Sequence, residues 1–441
     1  MTNGAVILGV PIDNVSMEET LQKIEEFIRD GSFHQIATAN VDYLVNAANN
    51  REYKEILCRC DLVVADGMPV VLASRLLGSP LAERVTGADL VPRLAHLSRQ
   101  KQYGIFLLGA TPEVCHLASS RLEEMGARIV GRLSPPVCSP NEFDNDYMLA
   151  EIERANPDIL LVAFGSPKQE LWIHQHRDRL KVPVCIGVGG SLNFIAGAVA
   201  RAPGWMQRTG FEWAYRVLVE PRRLVPRYLK DAVGMVRYFS VQLALSWATR
   251  RNGHALKIGV ESIGSVSILR VSGMMAGPQL AQLERAVAAV ADRGEALVIE
   301  LTGVSYLGAD GVRALVGLLR TANDCGCQLW LAGVPAALAR TLRASCCEGL
   351  FRAVPTVFDA VRQASHGRLR LSLELCDGSA VCRIGGDIPP GAREMLEGVF
   401  RQILASRQFE FESSGVIEPA RSTCRFALNN RALRVAAKTA V

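Results

Sequence analysis

The segment DLVVADG at residues 61–67 is an apolar run that ends at an aspartate and a glycine. Similar apolar runs recur over the first 190 residues, with helical patterns between them: AVILGV at 5–10, QIATAN at 35–40, GIFLLGA at 104–110, ARIVGRL at 127–133, DILLVAF at 158–164 and VCIGVGG at 184–190. Apolar strands alternating with helices are typical of a parallel sheet covered on both faces. We therefore predict an α/β domain with a Rossmann-like parallel sheet over residues 1–200.

Ligands of such sheets bind at the carboxyl ends of the strands. Polar or glycine-rich breaks follow the apolar runs at Thr38-Ala39-Asn40, Asp66-Gly67, Gly109-Ala110-Thr111, Gly165-Ser166-Pro167 and Gly189-Gly190. At this rim Asp66 could accept a proton from a substrate, although an aspartate after a strand is more often a helix cap or a turn residue. Gly109 and Gly189 lie in turns similar to nucleotide-binding loops, because glycine allows close approach of a phosphate to the backbone.

Four further polar residues of this half, Thr38, Asn40, Arg84 and Gln169, could together bind phosphates and sugar hydroxyls. An arginine such as Arg84 can neutralise charge that builds on a departing diphosphate. The alternative for Arg84 is a surface ion pair with Glu83 or Asp89. Neither a GxGxxG nor a Walker A sequence is present, which argues against a dehydrogenase or a P-loop NTPase.

The formal net charge of +5 is concentrated in one segment, residues 201–252. Between 201 and 251 there are ten Arg or Lys residues against three acidic residues, interspersed with Trp, Tyr and Phe. This composition is typical of an amphipathic helix at a membrane surface, and a solvated face with an ordinary packing stripe is the alternative. We predict a basic, membrane-proximal helical appendage here.

The N-terminus has no secretory signal pattern, and the longest apolar stretch, residues 238–248, is about half of what a membrane crossing needs. The twelve cysteines form no CxxC pair, so buried free thiols are favoured over a zinc site. We therefore expect a cytoplasmic protein, without a metal site, that attaches peripherally to the inner face of the plasma membrane.

Strand and helix patterns resume after residue 255 and predict a smaller α/β domain over residues 256–366. The remaining residues, 367–441, contain further strand patterns and one helix pattern, at 393–406. We predict a C-terminal α+β extension there and assign it no role.

Six motifs of the first half resemble the WecG/TagA/CpsF family of glycosyltransferases over about residues 5–240. They are ATANVDYLVNA at 37–47, LVVADGMPVV at 62–71, RVTGADLVPRL at 84–94, IFLLGA at 105–110, LLVAFGSPKQELWI at 160–173 and the run from Gly187 to Leu229. The resemblance implies transfer of an N-acetylmannosamine-type or related sugar from a UDP-sugar donor to an undecaprenyl-diphosphate-linked saccharide of a surface polysaccharide. It also implies inversion at the anomeric carbon and no required metal or cofactor.

The resemblance also implies roles for individual residues. Asp66 would be the general base, Thr38 and Asn40 would lie near the acceptor sugar, and Arg84 and Gln169 would lie at the diphosphate and the donor sugar. Four arginines match a basic appendage that closes over the site and meets the membrane and the lipid diphosphate: Arg216, Arg222, Arg223 and Arg227.

A second resemblance, to STAS domains, rests on VIELTGVSYLGADGVRALVGLL at 298–319. Regulatory members carry a phosphorylated serine in the turn, whereas this chain has Ala309 at that position. The domain is therefore predicted to dock a protein partner or sense a nucleotide rather than to act as a phosphoswitch. Asp310 could supply a fixed negative charge, but a helix cap is the simpler interpretation.

Two other functions are compatible with parts of the sequence. The first is a non-catalytic sensing or scaffolding protein built from a degenerate transferase fold and a STAS domain, against which the intact set of polar residues argues. The second, nucleic-acid binding through residues 201–251, lacks a recognised reader motif, so no nucleic-acid partner is expected. The sequence is compatible with both a monomer and a homo-oligomer.

Overall fold

The computed structural model describes residues 4–136, 143–209, 212–248, 255–263, 266–277, 279–291 and 296–364, and five strands of the C-terminal region. The chain divides into two compact units, residues 1–248 with 342–347, and residues 249–341 with 348–441. The helix predicted at 393–406 lies outside the described residues.

Strands and helices alternate along the first unit. In chain order they are β1 (Gly4–Ile7), β2 (Val10–Asp13), α1 (Met17–Asp30), β3 (His34–Ala39), α2 (Val41–Asn49), α3 (Arg51–Arg59), β4 (Leu62–Ala65), α4 (Met68–Leu76), α5 (Gly87–Lys101), β5 (Gly104–Gly109), α6 (Pro112–Glu124), β6 (Arg128–Leu133), α7 (Asn145–Ala155), β7 (Ile159–Ala163), α8 (Lys168–Gln175), β8 (Val184–Gly187), α9 (Ser191–Ile195), α10 (Gly204–Thr209), α11 (Glu212–Val219) and α12 (Pro221–Ala248). Six strands form one parallel sheet in the order β4-β3-β8-β7-β5-β6. The predicted α/β fold is confirmed.

Both faces of this sheet are covered, as continuous apolar strands require. Successive residues of β3 belong to different core clusters: Ile36 packs with Ile24 of α1, and Ala37 packs with Leu44 of α2. Because side chains alternate along a strand, this division places helices on each side. All six carboxyl ends therefore open at one edge, where the polar breaks lie.

The run AVILGV is the part of the strand pattern that does not join the parallel sheet. It forms β1 and the turn into β2, and the two strands pair as an antiparallel hairpin. Leu8 and Gly9 both have positive φ, 51° and 84°, which reverses the chain after four strand residues. A short apolar run predicts a strand but not its partner, so the βαβ interpretation of residues 5–10 was wrong.

Three helices, α10, α11 and α12, occupy the segment predicted as a basic appendage. The second half of α12 is fixed to the hairpin by Gln242, whose Nε2 donates to Val6 O at 2.9 Å and whose Oε1 accepts from Leu8 N at 3.1 Å. Met235 and Phe239 pack against the core on the same side. Across the part of the chain that is described, no helix is both long and apolar enough to cross a membrane.

The second unit begins with a smaller α/β domain. Its elements are β9 (Lys257–Ile263), β10 (Val266–Met275), α13 (Leu280–Ala291), β11 (Ala296–Leu307), α14 (Ala309–Asp324), β12 (Leu329–Ala332), α15 (Ala336–Ala344), β13 (Arg352–Val354) and α16 (Val357–Ala364). The sheet order is β13-β12-β11-β10-β9, parallel except for the antiparallel edge strand β9. This mixed sheet confirms the smaller STAS-like α/β domain.

The C-terminal region contributes a separate sheet in the order β14-β15-β17-β16-β18. These strands are β14 (Leu369–Cys376), β15 (Ser379–Gly386), β16 (Glu412–Ser414), β17 (Cys424–Ala427) and β18 (Arg434–Val435). Three of the four pairings between these described strands are antiparallel, and β16 and β18 pair in parallel.

Candidate active site

Asp66 directly follows β4, at the edge where the parallel strands end. Its backbone N–H donates to Ala39 O at 2.8 Å, which fixes it beside the end of β3. Its partly buried side chain accepts a hydrogen bond from the backbone N–H of Gly87, the first residue of α5. The carboxylate therefore lies at a helix N-terminus on the rim of the sheet.

Burial raises the pKa of Asp66 to about 6. The guanidinium groups of Arg84 and Arg216 and the Gly87 N–H oppose that shift, and Glu212 adds to it. A carboxylate with a pKa just below neutrality is mostly ionised at pH 7 and is basic enough to take a proton. The surroundings of Asp66 thus suit a general base.

Arg84 lies beside this carboxylate and is largely buried, with a side chain 17% exposed. Its guanidinium is 3.6 Å from Asp89 Oδ2 and 3.5 Å from Glu212 Oε2. Of the two alternative partners, Asp89 is therefore a real neighbour, whereas Glu83 accepts from the backbone of Met17. The ion pair of Arg84 with Asp89 lies within the candidate site, so Arg84 forms this pair and remains close to Asp66.

Arg216 is the appendage residue that joins the site. Its guanidinium lies 5.1 Å from the Phe194 ring, and a Cβ built on Gly190 would be 3.8 Å from its Nη2. Its Nε is buried and has no hydrogen-bond partner within the described residues. A buried donor without a partner at a strand-end glycine loop indicates a place for an anionic ligand.

Thr38 and Asn40 stand at the end of β3 and both have structural contacts. Thr38 is 3% exposed, and its hydroxyl donates to Gly187 O at 3.0 Å, which joins β3 to β8. Asn40 caps α2 by accepting from Tyr43 N at 3.3 Å. The end of β3 therefore lies next to Asp66, with the Thr38 hydroxyl turned toward the neighbouring strand.

Gln169 is buried, and each of its four amide hydrogen-bonding positions is occupied. Oε1 accepts from Gly165 N and Gly189 N at 3.1 and 3.0 Å. Nε2 donates to Tyr43 Oη at 2.8 Å and to Glu170 Oε1 at 2.7 Å. The geometry gives Gln169 a positioning role, because it ties the loops after β7 and β8 together and keeps no donor or acceptor free for a sugar.

Glu170 is a buried site neighbour that the sequence patterns did not single out. Its carboxylate accepts from Tyr43 Oη at 2.6 Å and from Tyr53 Oη at 3.2 Å. Burial raises the pKa of Glu170 to about 7 and is only partly opposed by the hydrogen bonds from Tyr43, Gln169 and Tyr53. The sequence signal was the polar pair Gln169-Glu170 at the start of a helix, which normally predicts exposure.

The two glycines predicted at nucleotide loops are both constrained. Gly109 has φ of 106°, and a Cβ there would be 2.8 Å from the Ala163 carbonyl group. Gly189 has φ of 48°, and its N–H is the one held by Gln169. The positive φ at both positions favours glycine. Gly189 also lies next to Gly190, which Arg216 approaches.

The other appendage arginines selected from the sequence are Arg222, Arg223 and Arg227. Arg227 Nη2 is 2.7 Å from Asp42 Oδ2 and so ties α12 to α2. Arg222 is exposed near the start of α12, and the side chain of Arg223 lies outside the described residues. Arg201, to which the sequence motifs assigned no role, contacts Asp89 and Glu212.

An apolar stripe lies on the exposed face of α12. We define this stripe as Leu229, Val233 and Val236, whose side chains are 61%, 67% and 70% exposed. The spacing of four and three residues places them on one side of the helix. Lys230 and Arg237 are exposed beside it, so the stripe has cationic flanks.

The turn of the second unit replaces a phosphorylatable serine with Ala309. Gly308 precedes α14 as its N-cap, and Asp310 accepts hydrogen bonds from Gly277 N and Gly311 N. Asp310 therefore links the start of α14 to the loop after β10.

Comparison with known proteins agrees with this division of the chain. Residues 5–250 match the family described as "Glycosyl transferase WecG/TagA/CpsF family", and residues 258–352 match "Mlab, STAS domain". Proteins of Staphylococcus aureus strains MRSA252 and NCTC 8325, each named N-acetylglucosaminyldiphosphoundecaprenol N-acetyl-beta-D-mannosaminyltransferase, are 35% identical over 223 residues. That match covers 49% of this chain and 85% of each relative.

A solved structure is also similar to part of the chain. An anti-sigma factor antagonist from Mycobacterium paratuberculosis is 27% identical, with a TM-score of 0.23, and the match covers 25% of this chain and 94% of that protein.

Proposed function

The chain belongs to the WecG/TagA/CpsF family of glycosyltransferases, and we propose that it moves an N-acetylmannosamine-type sugar from a UDP-sugar to an undecaprenyl-diphosphate-linked saccharide. The name of the Staphylococcus aureus relatives supports this pairing of sugar and lipid acceptor. The observation that carries the proposal is Asp66, a carboxylate with a pKa of about 6, flanked by Arg84 and Arg216.

The proposed reaction is a single displacement at the anomeric carbon of the donor sugar. Asp66 takes the proton from the acceptor hydroxyl as that oxygen forms the new glycosidic bond. The bond between the anomeric carbon and the UDP oxygen breaks on the opposite side, so the configuration inverts. The departing UDP carries the electron pair, and positive side chains lower the energy of this charged leaving group.

Arg84 and Arg216 are the groups proposed to hold the diphosphate. Arginine matches phosphate oxygens with two parallel N–H donors, and both guanidinium groups lie close enough to influence Asp66. The Nε of Arg216 has a buried, unused donor within the described residues, which fits a phosphate oxygen. With two arginines supplying the positive charge, the proposal requires no metal ion or other cofactor.

We propose attachment to the cytoplasmic face of the plasma membrane, which the proposed acceptor and the surface of α12 support. A diphosphate-linked lipid presents its sugar at the membrane surface, so the enzyme must work there. The apolar stripe of Leu229, Val233 and Val236, flanked by Lys230 and Arg237, suits insertion between anionic headgroups. For the STAS-like domain we propose a protein partner, because position 309 has no hydroxyl to phosphorylate. The product would serve a surface polysaccharide.

A donor screen tests the proposal. The full chain is incubated with a panel of UDP-sugars and a synthetic polyprenyl diphosphate bearing N-acetylglucosamine, and products are read by mass spectrometry. We expect one N-acetylhexosamine to be added. If UDP binds but no donor yields product, the chain is the non-catalytic sensing or scaffolding protein instead.

A further inference from the structure

The candidate site around Asp66 contains a cluster with equal numbers of positive and negative side chains. Among the described residues, this arginine–carboxylate cluster comprises three guanidinium groups and three carboxylates: Arg84, Arg201 and Arg216 with Asp66, Asp89 and Glu212. A diphosphate would add further negative charge to a region that is already neutral. Arg216 has an unused donor, but Arg84 can hold the diphosphate closely where a carboxylate gives up that arginine.

The carboxylates of Asp89 and Glu212 differ in how firmly they are held. Asp89 lies in the first turn of α5, where its Oδ2 accepts from Thr86 Oγ1 at 2.7 Å and its N–H donates back to Thr86 Oγ1 at 3.1 Å. Its Oδ1 also accepts a hydrogen bond from Arg201 Nη1 at 2.5 Å. The Thr86 contacts therefore anchor Asp89 to the α/β core even where a ligand takes Arg84, which lies 3.6 Å from Asp89 Oδ2.

Glu212 is the first residue of α11, in the appendage. Its hydrogen bonds and ion pairs within the described residues are to two guanidinium groups, 3.5 Å to Arg84 and 3.2 Å to Arg201. Its side chain is 14% exposed, and its contacts with Arg201 would remain if Arg84 moved to a phosphate. Glu212 is thus the carboxylate whose arginine contacts are exchangeable for those of a phosphate.

We propose that Glu212 is an internal counter-ion that holds Arg84 until the diphosphate of the nucleotide donor displaces it. The inference rests on the proposed function and adds a residue that determines donor affinity. Carboxylate and phosphate oxygens compete for the same guanidinium donors, and the phosphate also repels the carboxylate. Donor binding therefore moves Glu212, and with it the start of α11.

The position of Arg216 gives this exchange a function. Glu212 and Arg216 are four residues apart on α11, so they share one face of the helix. A movement of Glu212 is passed to Arg216, which approaches the loop at Gly190. Displacement by the donor thereby links diphosphate binding to the placement of the second arginine.

Removal of the Glu212 charge tests this competition. UDP affinity of the full-length protein is measured by titration calorimetry for the wild type, Glu212→Gln and Glu212→Ala. We expect both variants to bind UDP about fivefold to tenfold more tightly, because Arg84 then keeps one of its two described ion pairs, that with Asp89, before the ligand arrives. A loss of general structure would weaken binding, so tighter binding excludes that explanation.

Glu18→Gln is the matched control, because Glu18 pairs with Arg93 at 3.2 Å on the exposed surface. It should leave UDP affinity unchanged. Unchanged or weaker UDP binding by folded Glu212→Gln and Glu212→Ala would overturn the inference, even where the wild type transfers sugar. Absence of UDP binding by the wild type would instead contradict the proposed function.

The neighbouring Trp213 supplies a second test, on a chain with an intact Glu212. Its ring contacts Tyr228 with centroids 6.4 Å apart and is 48% exposed, so a shift of Glu212 alters its surroundings. We expect UDP to change the tryptophan fluorescence of the wild type, and most of that change to vanish in Trp213→Phe. An equal response in Trp213→Phe, at saturating UDP, would show that the start of α11 does not move.

Discussion

Gln169 and Glu170, adjacent in sequence, join their side chains through a 2.7 Å hydrogen bond beneath the strand ends. The same Gln169 amide accepts the N–H groups of Gly165 and Gly189, so the loops after β7 and β8 are fixed to one buried carboxylate. Two tyrosine hydroxyl groups, from Tyr43 and Tyr53, complete the coordination of that carboxylate. The rim of the sheet is therefore held by a buried polar network rather than by apolar packing alone.

The first prediction concerns stability and pH. The pKa of Glu170 is raised from 4.5 to about 7, so the folded protein holds this proton more tightly than the unfolded chain. The resulting stabilisation is complete below about pH 4.5 and is lost as pH rises to about 7. Glu170→Gln, which cannot ionise, should reduce the fall in stability across this window by on the order of 1–3 kcal/mol.

Calorimetric unfolding of the full chain from pH 5 to 8 measures this effect. Asp66 and Asp231 also have pKa values raised to about 6, so a part of the slope remains in Glu170→Gln. Glu55→Gln, on an exposed ion pair with Arg51, is the control. An identical pH slope in wild type and Glu170→Gln would contradict the assigned pKa shift.

The second prediction concerns the acid limb of the pH–rate profile, where kcat/KM falls as the pH is lowered. Because Asp66 must be ionised to accept a proton, kcat/KM should rise with pH through about 6. Arg84→Gln removes a cation that lowers the pKa of Asp66, so the limb should move to higher pH while kcat falls about 10²-fold or more. Arg93→Gln, outside the site, should change neither quantity. A lower rate with an unmoved limb would show that Arg84 does not act on Asp66.

The third prediction concerns the membrane. Leu229→Glu combined with Val233→Glu places charge on the exposed stripe of α12, and binding to phosphatidylcholine–phosphatidylglycerol vesicles should fall at least tenfold. Co-sedimentation measures it. Leu117→Glu, at a 47% exposed position on α6, is the control and should bind as the wild type does. Equal loss in the control would mean that the effect is not specific to α12.

The fourth prediction concerns the turn of the second unit. Asp310→Ala removes the acceptor for Gly277 N and Gly311 N, so the unit should lose about 1 kcal/mol of unfolding free energy. The calorimetric transition of that unit should move to lower temperature, with sugar transfer by the first unit retained. If the transition temperature of Asp310→Ala equals that of the wild type, the hydrogen bonds of Asp310 do not stabilise the unit.

The sequence predicted those features that depend on local order along the chain. Apolar runs followed by polar breaks were sufficient to predict the parallel sheet and to put Asp66 at its rim, because carboxyl ends of parallel strands share one edge. The family resemblance then selected Arg84 and Arg216, which lie within electrostatic reach of Asp66. The roles in catalysis stay predictions.

Contacts between distant segments could not be predicted in this way. Arg201 meets Asp89 across 112 residues, and Tyr43 meets Glu170 across 127, separations at which no periodic pattern connects the partners. The sequence likewise could not show that the Gln169 amide oxygen accepts from two glycine N–H groups, because their positions depend on the folded loops. The same holds for the hairpin at residues 4–13, because an apolar run does not specify which strand it pairs with.

The most direct measurement compares sugar transfer and UDP binding in Asp66→Asn, a variant of nearly the same size that cannot act as a base. With the synthetic polyprenyl-diphosphate acceptor, we predict that turnover falls by on the order of 10²–10⁴-fold while UDP binds within a few-fold of the wild-type affinity. Turnover close to that of the wild type would contradict the account, because the proton of the acceptor hydroxyl would then be removed by another group.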